Sequence, residues 1–349
     1  MSNSIKTGLA SFGMSTIVFH GPLLKTNSAF EVTKIVERHR QNSRKSFPEA
    51  EIVKDFKDLC NDNEIELIIV TTPDHLHFPF AKMALESGKH VVVEKPFTQS
   101  YEQALELIEL AEKKQLILSV FQNRRWDGDF LTVQDIVKKE MLGRLVDYEA
   151  HFDRYRNFIQ EGTWKESSEF GAGILFNLGS HMIDQVLVLF GMPESVYADL
   201  RILRDDGDVN DSFDVLLRYD HIKVMVRGSY LVREPGPRYI LHGTEGSFLK
   251  WGIDPQEQDL KDGYLPGFEG WGEEDPEEWG LLNTNLNGLH YEGNIETIPG
   301  NYPAFYENIH DCLRNNAKPR VTAEEAANVI KIIEAARRSF DEKREVGVG

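Results

Sequence analysis

The chain has 349 residues, of which 41% are hydrophobic and 28% charged, a composition typical of globular proteins and unlike that of disordered ones. At roughly 150 residues per domain, this length predicts two domains. The 39 Lys and Arg against 57 Asp and Glu give a net charge of -18, which disfavours nucleic acid and anionic membranes and favours small molecules as partners.

Two cysteines, Cys60 and Cys312, are too few for a disulfide framework or for a thiolate metal site. We therefore expect a reducing, cytoplasmic location and no bound metal. Because no apolar run approaches the roughly 18 residues that span a bilayer, we also expect a soluble protein without a membrane partner.

Residues 1–121 alternate short apolar runs with amphipathic stretches of helical length, the pattern of βαβ units in a doubly wound parallel sheet. The predicted strands are Ile5–Ala10, Phe30–Val36, Leu67–Thr71, His90–Glu94 and Ile117–Phe121. The predicted helices are approximately Gly13–Lys25, His75–Ser87 and Tyr101–Lys113.

Residues 122–349 predict an α+β domain with a largely antiparallel, open-faced sheet. A helix is predicted near Phe130–Met141, and apolar residues recur at every second position on both sides of a turn at Asp220-His221. Acidic residues 254–278 are predicted to form a solvated loop without chemistry. Thr322-Ala-Glu-Glu325 predicts a capping box for a last helix, 323–340, which could pack back on the first domain.

A dinucleotide-binding fingerprint has three glycines, and the turn after the first strand has only one of them. Gly13 is present, whereas Ser11 and Thr16 occupy the other two positions. Without a side chain, Gly13 would let the helix N-terminus approach a pyrophosphate. An ordinary turn between a strand and a helix is the alternative.

The end of the second strand bears on the choice between NAD and NADP. Glu37 could accept hydrogen bonds from the adenosine ribose, which favours NAD. Arg38, His39, Arg40 and Arg44 could instead bind the 2′-phosphate of NADP, so NADP remains open.

Two further segments follow predicted parallel strands, at the sheet edge where ligands bind. Thr71-Thr-Pro-Asp-His-Leu-His77 lacks a third metal ligand beside its two histidines, and a metal is therefore not predicted there. The other segment is Glu94-Lys95-Pro96. Since a lysine leaving a buried strand is unusual, Lys95 is a candidate catalytic acid.

In the second domain, Phe170-Gly-Ala-Gly173 is predicted to be a glycine-rich turn before a helix. Asn177, His181 and Asp184 follow at spacings of four and three residues, which places them on a similar face. A lone helical histidine is often structural, but here a polar edge interrupts an otherwise apolar helix.

The sequence resembles the Gfo/Idh/MocA superfamily of NAD(P)-dependent sugar and polyol dehydrogenases, and is most similar to the branch that contains NADP-dependent scyllo-inositol dehydrogenase. The resemblance covers almost the whole chain and rests on the turn after strand one, Val18–Pro22, Thr72–His77, Glu94–Pro96, Gln122–Asp127, Phe152–Arg156 and Leu178–Asp184. It implies a Rossmann domain, a substrate-binding second domain, and a homodimer or homotetramer that pairs through the open sheet face, where Tyr230 and Trp251 are candidate contacts.

The resemblance also assigns residues. It places the family's active-site lysine at Lys95, followed by a cis proline at Pro96, and its histidine at His181. Asn177 stands where the family usually has an acidic residue, and its amide cannot stabilise a protonated histidine by charge. The predicted cofactor-binding residues are Ser11, Phe12, Gly13, Met14, Glu37, Arg38, Thr71, Thr72, Pro73, His77, Glu94, Lys95 and Gln122.

The predicted reaction moves a hydride between the nicotinamide and a sugar, polyol or related carbonyl compound. Lys95 would stabilise the oxygen, His181 would exchange the proton and Asn177 would orient the carbinol, while Tyr155 and Arg156 would bind neighbouring hydroxyls. The alternative function is a non-catalytic, NAD(P)-sensing regulator of sugar metabolism.

Overall fold

The computed structural model of the protein describes residues 4–160, 162, 166 and 172–349. The chain divides into two compact units. The first consists of Met1–Asn123, Pro255–Trp271 and Asn301–Ala327; the second consists of Arg124–Asp254, Gly272–Gly300 and Asn328–Gly349. A linear division at residues 121 and 122 therefore misses two later segments of the first unit.

The strands are β1 Ile5–Leu9, β2 Phe30–Val36, β3 Glu51–Val53, β4 Leu67–Val70, β5 His90–Val93, β6 Leu118–Val120, β7 Leu145–His151, β8 Ser195–Arg201, β9 Ser212–Arg218, β10 Lys223–Ser229, β11 Tyr239–Gly243, β12 Gly246–Lys250, β13 Gly280–Leu286, β14 Leu289–Ile295 and β15 Val346–Gly347. The α-helices are α1 Gly21–Lys25, α2 Lys57–Cys60, α3 His77–Glu86, α4 Tyr101–Lys114, α5 Gly128–Lys138, α6 Ser180–Phe190, α7 Gln256–Asp262, α8 Pro303–Asn315 and α9 Ala323–Glu342. Two π-helical turns, Thr16–His20 and Leu175–Gly179, directly precede α1 and α6.

In the described part of the first unit, six parallel strands form one sheet in the order β3-β2-β1-β4-β5-β6. This is the predicted doubly wound parallel sheet. Each predicted strand and helix of this unit lies within two residues of its predicted bounds, except that the first helix begins at Thr16 rather than Gly13. The short elements β3 and α2 were not predicted. The strand order reverses between β1 and β4, the point at which such sheets bind ligands beyond their carboxyl ends.

The later segments belong to the first unit because they pack on its last strand. Phe305 on α8 makes an edge-to-face contact with Phe121, their ring centroids lying 4.9 Å apart. The Ser119 hydroxyl on β6 donates a hydrogen bond to the Val321 carbonyl at 2.8 Å. Neither contact can be inferred from local sequence periodicity.

Nine strands form the sheet of the second unit, within the part of the chain that the structure describes, in the order β14-β13-β12-β11-β7-β10-β9-β8-β15. Neighbouring strands are antiparallel except for the parallel pair β7 and β10. The prediction of a largely antiparallel sheet is confirmed. The predicted hairpin at Asp220-His221 joins β9 to β10, with Arg218 opposite Lys223.

One face of this sheet carries the core of the second unit. Alternate residues of β9 and β10 are buried and pack with apolar residues of α5, α6 and the later part of α9. The opposite face carries exposed ion pairs such as Arg227–Asp214. The alternation of buried and exposed positions follows from the two-residue period of a strand with one covered face.

The acidic segment 254–278 is more ordered than the predicted solvated loop. It contains α7, and the carboxylate of Asp254, 3% exposed, accepts a hydrogen bond from the Gly128 amide at 2.7 Å. Lys250, which is fully buried, donates to Glu274 at 2.8 Å. The prediction missed that the carboxylates of Asp254 and Glu274 are buried and hydrogen-bonded, because the net charge of a segment does not show which of its groups have partners inside the protein.

The last helix begins with the predicted capping box. The Thr322 hydroxyl accepts a hydrogen bond from the Glu325 amide, and the Glu325 carboxylate accepts one from the Thr322 amide, both at 3.1 Å. The prediction of this helix start is confirmed. None of the described helices is long and apolar enough to cross a membrane.

Candidate functional site

The turn after β1 leaves space where a phosphate could approach the backbone. A side chain placed at Gly13 would meet only the Ser11 hydroxyl, at 3.8 Å, and Gly13 itself is exposed. The Gly13 carbonyl accepts the first helical hydrogen bond, from Ile17 at 2.9 Å. A helix N-terminus with an open glycine beside it fits an anionic ligand.

Hydroxyl groups hold this turn at the two positions that lack the expected glycine. Ser11 donates to the Thr71 carbonyl at 2.7 Å, which links β1 to β4 across the reversal in strand order. Thr16 donates to the Ser11 carbonyl at 3.0 Å. These hydrogen bonds show how the turn forms without glycine at positions 11 and 16.

The two other predicted residues of this turn lie at the surface of the unit. The Phe12 ring makes an edge-to-face contact with Phe47, their ring centroids lying 6.4 Å apart. Met14 is 57% exposed.

The carboxylate of Glu37 binds the chain that follows it. Its oxygens accept hydrogen bonds from the amides of Asn42 and Ser43, at 3.0 and 3.1 Å, and from the Ser43 hydroxyl. Glu37 is 7% exposed, whereas Arg38 and Arg40 are exposed. A carboxylate that already accepts three hydrogen bonds has little capacity left for ribose hydroxyls. The predicted hydrogen bonds from the ribose to Glu37 were the reason to favour NAD.

The segment after β4 contains one buried hydroxyl without a partner. Among the described atoms, none forms a hydrogen bond with the side chain of Thr72. Thr71, by contrast, makes hydrogen bonds with Ser11, and Pro73 is exposed.

His77 is fully buried and connects the segments that follow β4 and β5. One ring nitrogen lies 2.9 Å from the Thr72 carbonyl and the other 2.8 Å from the Pro96 carbonyl. The ring therefore lies between the backbone of the two segments. The predicted contact of His77 with the cofactor is therefore indirect, through the backbone that it holds.

Lys95 follows β5, and the Lys95–Pro96 peptide bond is cis, as the resemblance implies. The preceding Glu94 is 8% exposed and accepts hydrogen bonds from His20 and from the Lys95 amide, both at 2.9 Å. Burial by itself raises the pKa of Glu94, but the hydrogen bond and charge of His20 lower it. The positive charges of Lys95 and His77 lower it further, and the pKa lies below its usual value.

A second buried polar atom without a partner lies at the end of β6. The side-chain oxygen of Gln122, a residue 2% exposed, has no hydrogen-bond partner within the described structure. Thr72 thus offers an unused polar atom after β4, at the strand-order reversal that Gly13 borders. Gln122 offers one after edge strand β6, on the same carboxyl side of the sheet. These features fit a bound dinucleotide.

In the second unit, the predicted polar helix begins with a π-helical turn and continues as α6. His181 is 5% exposed, and the Asn177 amide donates to the Tyr230 hydroxyl at 3.4 Å. Asp184 forms a buried, bidentate ion pair with Arg125. Residues 170 and 171 of the predicted glycine-rich turn lie outside the described residues.

The structure places the predicted substrate-binding residues around aromatic rings. The guanidinium of Arg156 lies 5.3 Å from the centre of the Tyr230 ring, and that of Arg233 lies 4.1 Å from the Tyr155 ring. Tyr155 is 44% exposed.

Tyr230 was predicted to be an exposed contact between subunits, but it is 6% exposed and links Asn177 to Arg156. Sequence reasoning also missed His20 as a partner of Glu94. The signal for it was its place in Val18–Pro22, one of the segments on which the family resemblance rests. The other candidate contact, Trp251, is 39% exposed.

Comparisons with known proteins agree with this arrangement. Residues 5–122 match the oxidoreductase family, NAD-binding Rossmann fold, and residues 134–348 match the oxidoreductase family, C-terminal alpha/beta domain. Over 344 residues, the chain is 40% identical to the scyllo-inositol 2-dehydrogenase (NADP(+)) of Bacillus subtilis, covering 99% of this chain and 96% of that protein.

Solved structures extend the similarity to the full fold. A candidate oxidoreductase from Bacteroides fragilis is 51% identical with a TM-score of 0.91, and one from Bacillus subtilis is 39% identical with a TM-score of 0.95; each match covers 99% of both chains. The named dehydrogenases among the relatives support an enzyme rather than a regulator. With both of its units matched by the two domains of one family, the chain belongs to the Gfo/Idh/MocA oxidoreductases, whose Rossmann domain binds a nicotinamide cofactor.

Proposed function

We propose that the protein is a dehydrogenase that oxidises a secondary hydroxyl of a sugar or cyclic polyol, or reduces the corresponding carbonyl compound. The observation that carries the proposal is the place of Lys95, directly after buried strand β5, at the edge of the sheet where Gly13 is open. The relative named scyllo-inositol 2-dehydrogenase supports an inositol-like substrate.

When bound, the nicotinamide supplies or accepts the hydride at its C4 atom. Gly13, Thr72 and Gln122 would hold the dinucleotide. In the oxidation, Lys95 donates a hydrogen bond to the substrate oxygen and stabilises the negative charge that develops as the C–H bond breaks. His181 accepts the hydroxyl proton.

Asn177 orients the hydroxyl-bearing carbon through its amide. Its hydrogen bond to Tyr230 fixes that amide, and Arg156 packs on the same ring. An arginine and an amide so placed can bind the hydroxyl groups next to the reacting carbon, the role predicted from the sequence for Arg156 and Tyr155.

Turnover tests the proposal. We expect reduced nicotinamide to form, detected by its absorbance, when the protein is incubated with dinucleotide and a panel of inositols or sugars. Lys95→Met should lower kcat by about 100-fold or more while leaving the dinucleotide Kd unchanged. Lys82→Met, at an exposed ion pair with Glu106, is the matched control. Near-normal turnover by Lys95→Met would contradict the role of Lys95.

The preferred cofactor is proposed to be NADP(H). The Glu37 carboxylate is occupied by residues 42 and 43, and the neighbouring Arg38 and Arg40 are exposed. A guanidinium group binds a phosphate through two parallel hydrogen bonds, which suits the 2′-phosphate.

Fluorescence titration separates the two cofactors. NADPH should bind at least about tenfold more tightly than NADH, and Arg38→Ala should remove most of that difference. Arg144→Ala, at an exposed arginine of the second unit, is the control and should leave both affinities unchanged. Tighter binding of NADH by the unaltered protein would contradict the NADP preference.

The protein is further proposed to form a homo-oligomer through the face of the nine-stranded sheet that lies opposite the core. In register across seven neighbouring strands, this face carries a row of six apolar or aromatic side chains and one acidic one. Tyr197 is exposed and the others are half-buried: Tyr197, Leu216, Met225, Glu149, Ile240, Leu249 and Leu281. A largely apolar row of this kind is typical of an interface between subunits. Light scattering should give at least twice the mass of the chain, and Met225→Glu should shift it toward the monomer.

A further inference from the structure

A buried chain of three polar side chains lies behind Lys95 in the first unit. His20 is fully buried, and its two ring nitrogens lie 2.5 Å from the Tyr306 hydroxyl and 2.9 Å from the Glu94 carboxylate. Tyr306 is also fully buried. The three residues come from the helix after β1, from α8 and from the end of β5.

The geometry gives each of the three groups a partner. The ionised Glu94 carboxylate can only accept, so His20 donates to it from Nε2. The other ring nitrogen, Nδ1, pairs with the Tyr306 hydroxyl. The negative charge of the chain lies on Glu94.

Glu94 connects this chain to Lys95. Its second carboxylate oxygen accepts a hydrogen bond from the Lys95 amide at 2.9 Å. The charged and titratable groups that act on Glu94 are His20, Lys95 and His77, and Tyr306 reaches it through His20. The three basic groups lower the pKa of Glu94 in spite of its burial, and so keep it ionised.

A buried carboxylate is costly for folding, and an apolar residue of similar size would often be at least as stabilising. The proposed reaction uses neither His20, nor Tyr306, nor the Glu94 carboxylate. Of the residues that the proposed reaction uses, Lys95 adjoins this network: its amide binds the Glu94 carboxylate, and its charge acts on that carboxylate. The network is therefore best explained by what its negative charge does for that ammonium group.

We propose that His20, supported by Tyr306, is a positioning residue that holds the Glu94 carboxylate in place as the fixed counter-charge of Lys95. This inference rests on the proposed function of Lys95. Without the hydrogen bond from His20, Glu94 loses its orientation or takes up a proton, and Lys95 loses its ammonium charge at a lower pH.

Competitive labelling tests this without any substrate. The protein is acetylated at a series of pH values, and the modification of Lys95 is quantified by peptide mass spectrometry. In His20→Leu, the midpoint of Lys95 labelling should move about one pH unit lower than in the unaltered protein. His20→Gln keeps a donor for Glu94, and its Lys95 midpoint should lie close to that of the unaltered protein. Tyr306→Phe should lower the midpoint by less than His20→Leu does.

A histidine at the other end of β5 is the matched control. His90 accepts a hydrogen bond from the Ile117 amide at 2.9 Å, and His90→Gln should leave the Lys95 midpoint unchanged. Melting temperatures measured without cofactor identify any variant that fails to fold. If the His20 variants do not fold, the Lys95 midpoint of Tyr306→Phe, which keeps the packed ring, decides the test.

The kinetic consequence is a shift of the alkaline limb of the kcat profile in His20→Leu, in the same direction as the labelling midpoint, with the Kd for NADPH unchanged. An unchanged labelling midpoint in His20→Leu and Tyr306→Phe would overturn the inference, as would a shifted midpoint with an unchanged kcat profile. If the unaltered protein turns over no sugar or polyol, the proposed function fails and labelling alone decides the inference.

Discussion

Asp184 and Arg125 form a buried ion pair that anchors the helix carrying His181. The two hydrogen bonds of the pair measure 2.8 and 2.7 Å, and the side chains are 2% and 8% exposed. Asp184→Asn removes the negative charge and replaces one acceptor with an amide donor, so the buried guanidinium group loses the carboxylate that it binds through two hydrogen bonds. We expect a loss of about 3 kcal/mol in the free energy of unfolding, since breaking one side of a buried pair costs roughly 3–5 kcal/mol.

Urea unfolding followed by tryptophan fluorescence measures this loss as a lower midpoint at unchanged slope. The matched control is Asp199→Asn, which disrupts the exposed pair of Asp199 with Arg201 and should leave the midpoint where it is. The double variant Arg125→Met with Asp184→Leu lacks both charges. Its free energy of unfolding should be closer to that of the unaltered protein than the free energy of unfolding of Asp184→Asn is. Equal midpoints for Asp184→Asn and Asp199→Asn would refute the reasoning.

Three further substitutions test other parts of the structure. Gly13→Ala should leave the melting temperature unchanged but weaken NADPH binding about tenfold or more in a fluorescence titration; an unchanged Kd would contradict an open phosphate site at Gly13. Thr322→Ala should cost about 1 kcal/mol in calorimetry, because it removes the acceptor for the Glu325 amide. Burial raises the pKa of Glu66, but hydrogen bonds from Arg314 outweigh it and hold the pKa below 4.5. The resulting stability is present above pH 4.5 and is lost as the pH falls through the lower folded-state value, so Glu66→Gln should flatten the acid side of a stability profile.

The sequence by itself determined the class of fold. Strands such as Leu67–Val70 are apolar at every position because both faces of a parallel sheet are covered, whereas Ser212–Arg218 alternates because one face is open. The helix start at Thr322 was equally local, since its hydrogen bonds join residues three positions apart. Gly13 and Lys95 were found in the same way, as residues at the ends of predicted strands.

The tertiary structure decided which polar groups already have hydrogen-bond partners within the protein. Glu37 is separated by only a few residues from the amides that it binds, yet no periodicity showed that its carboxylate turns toward them. Tyr306 lies 286 positions from His20 along the chain, and only the packing of α8 beside β6 brings them together. Local patterns report whether a residue is buried, because burial follows the period of a strand or helix. They do not report its hydrogen-bond partner, since that depends on segments distant in sequence, and the partners are what separate a ligand-binding carboxylate from a structural one.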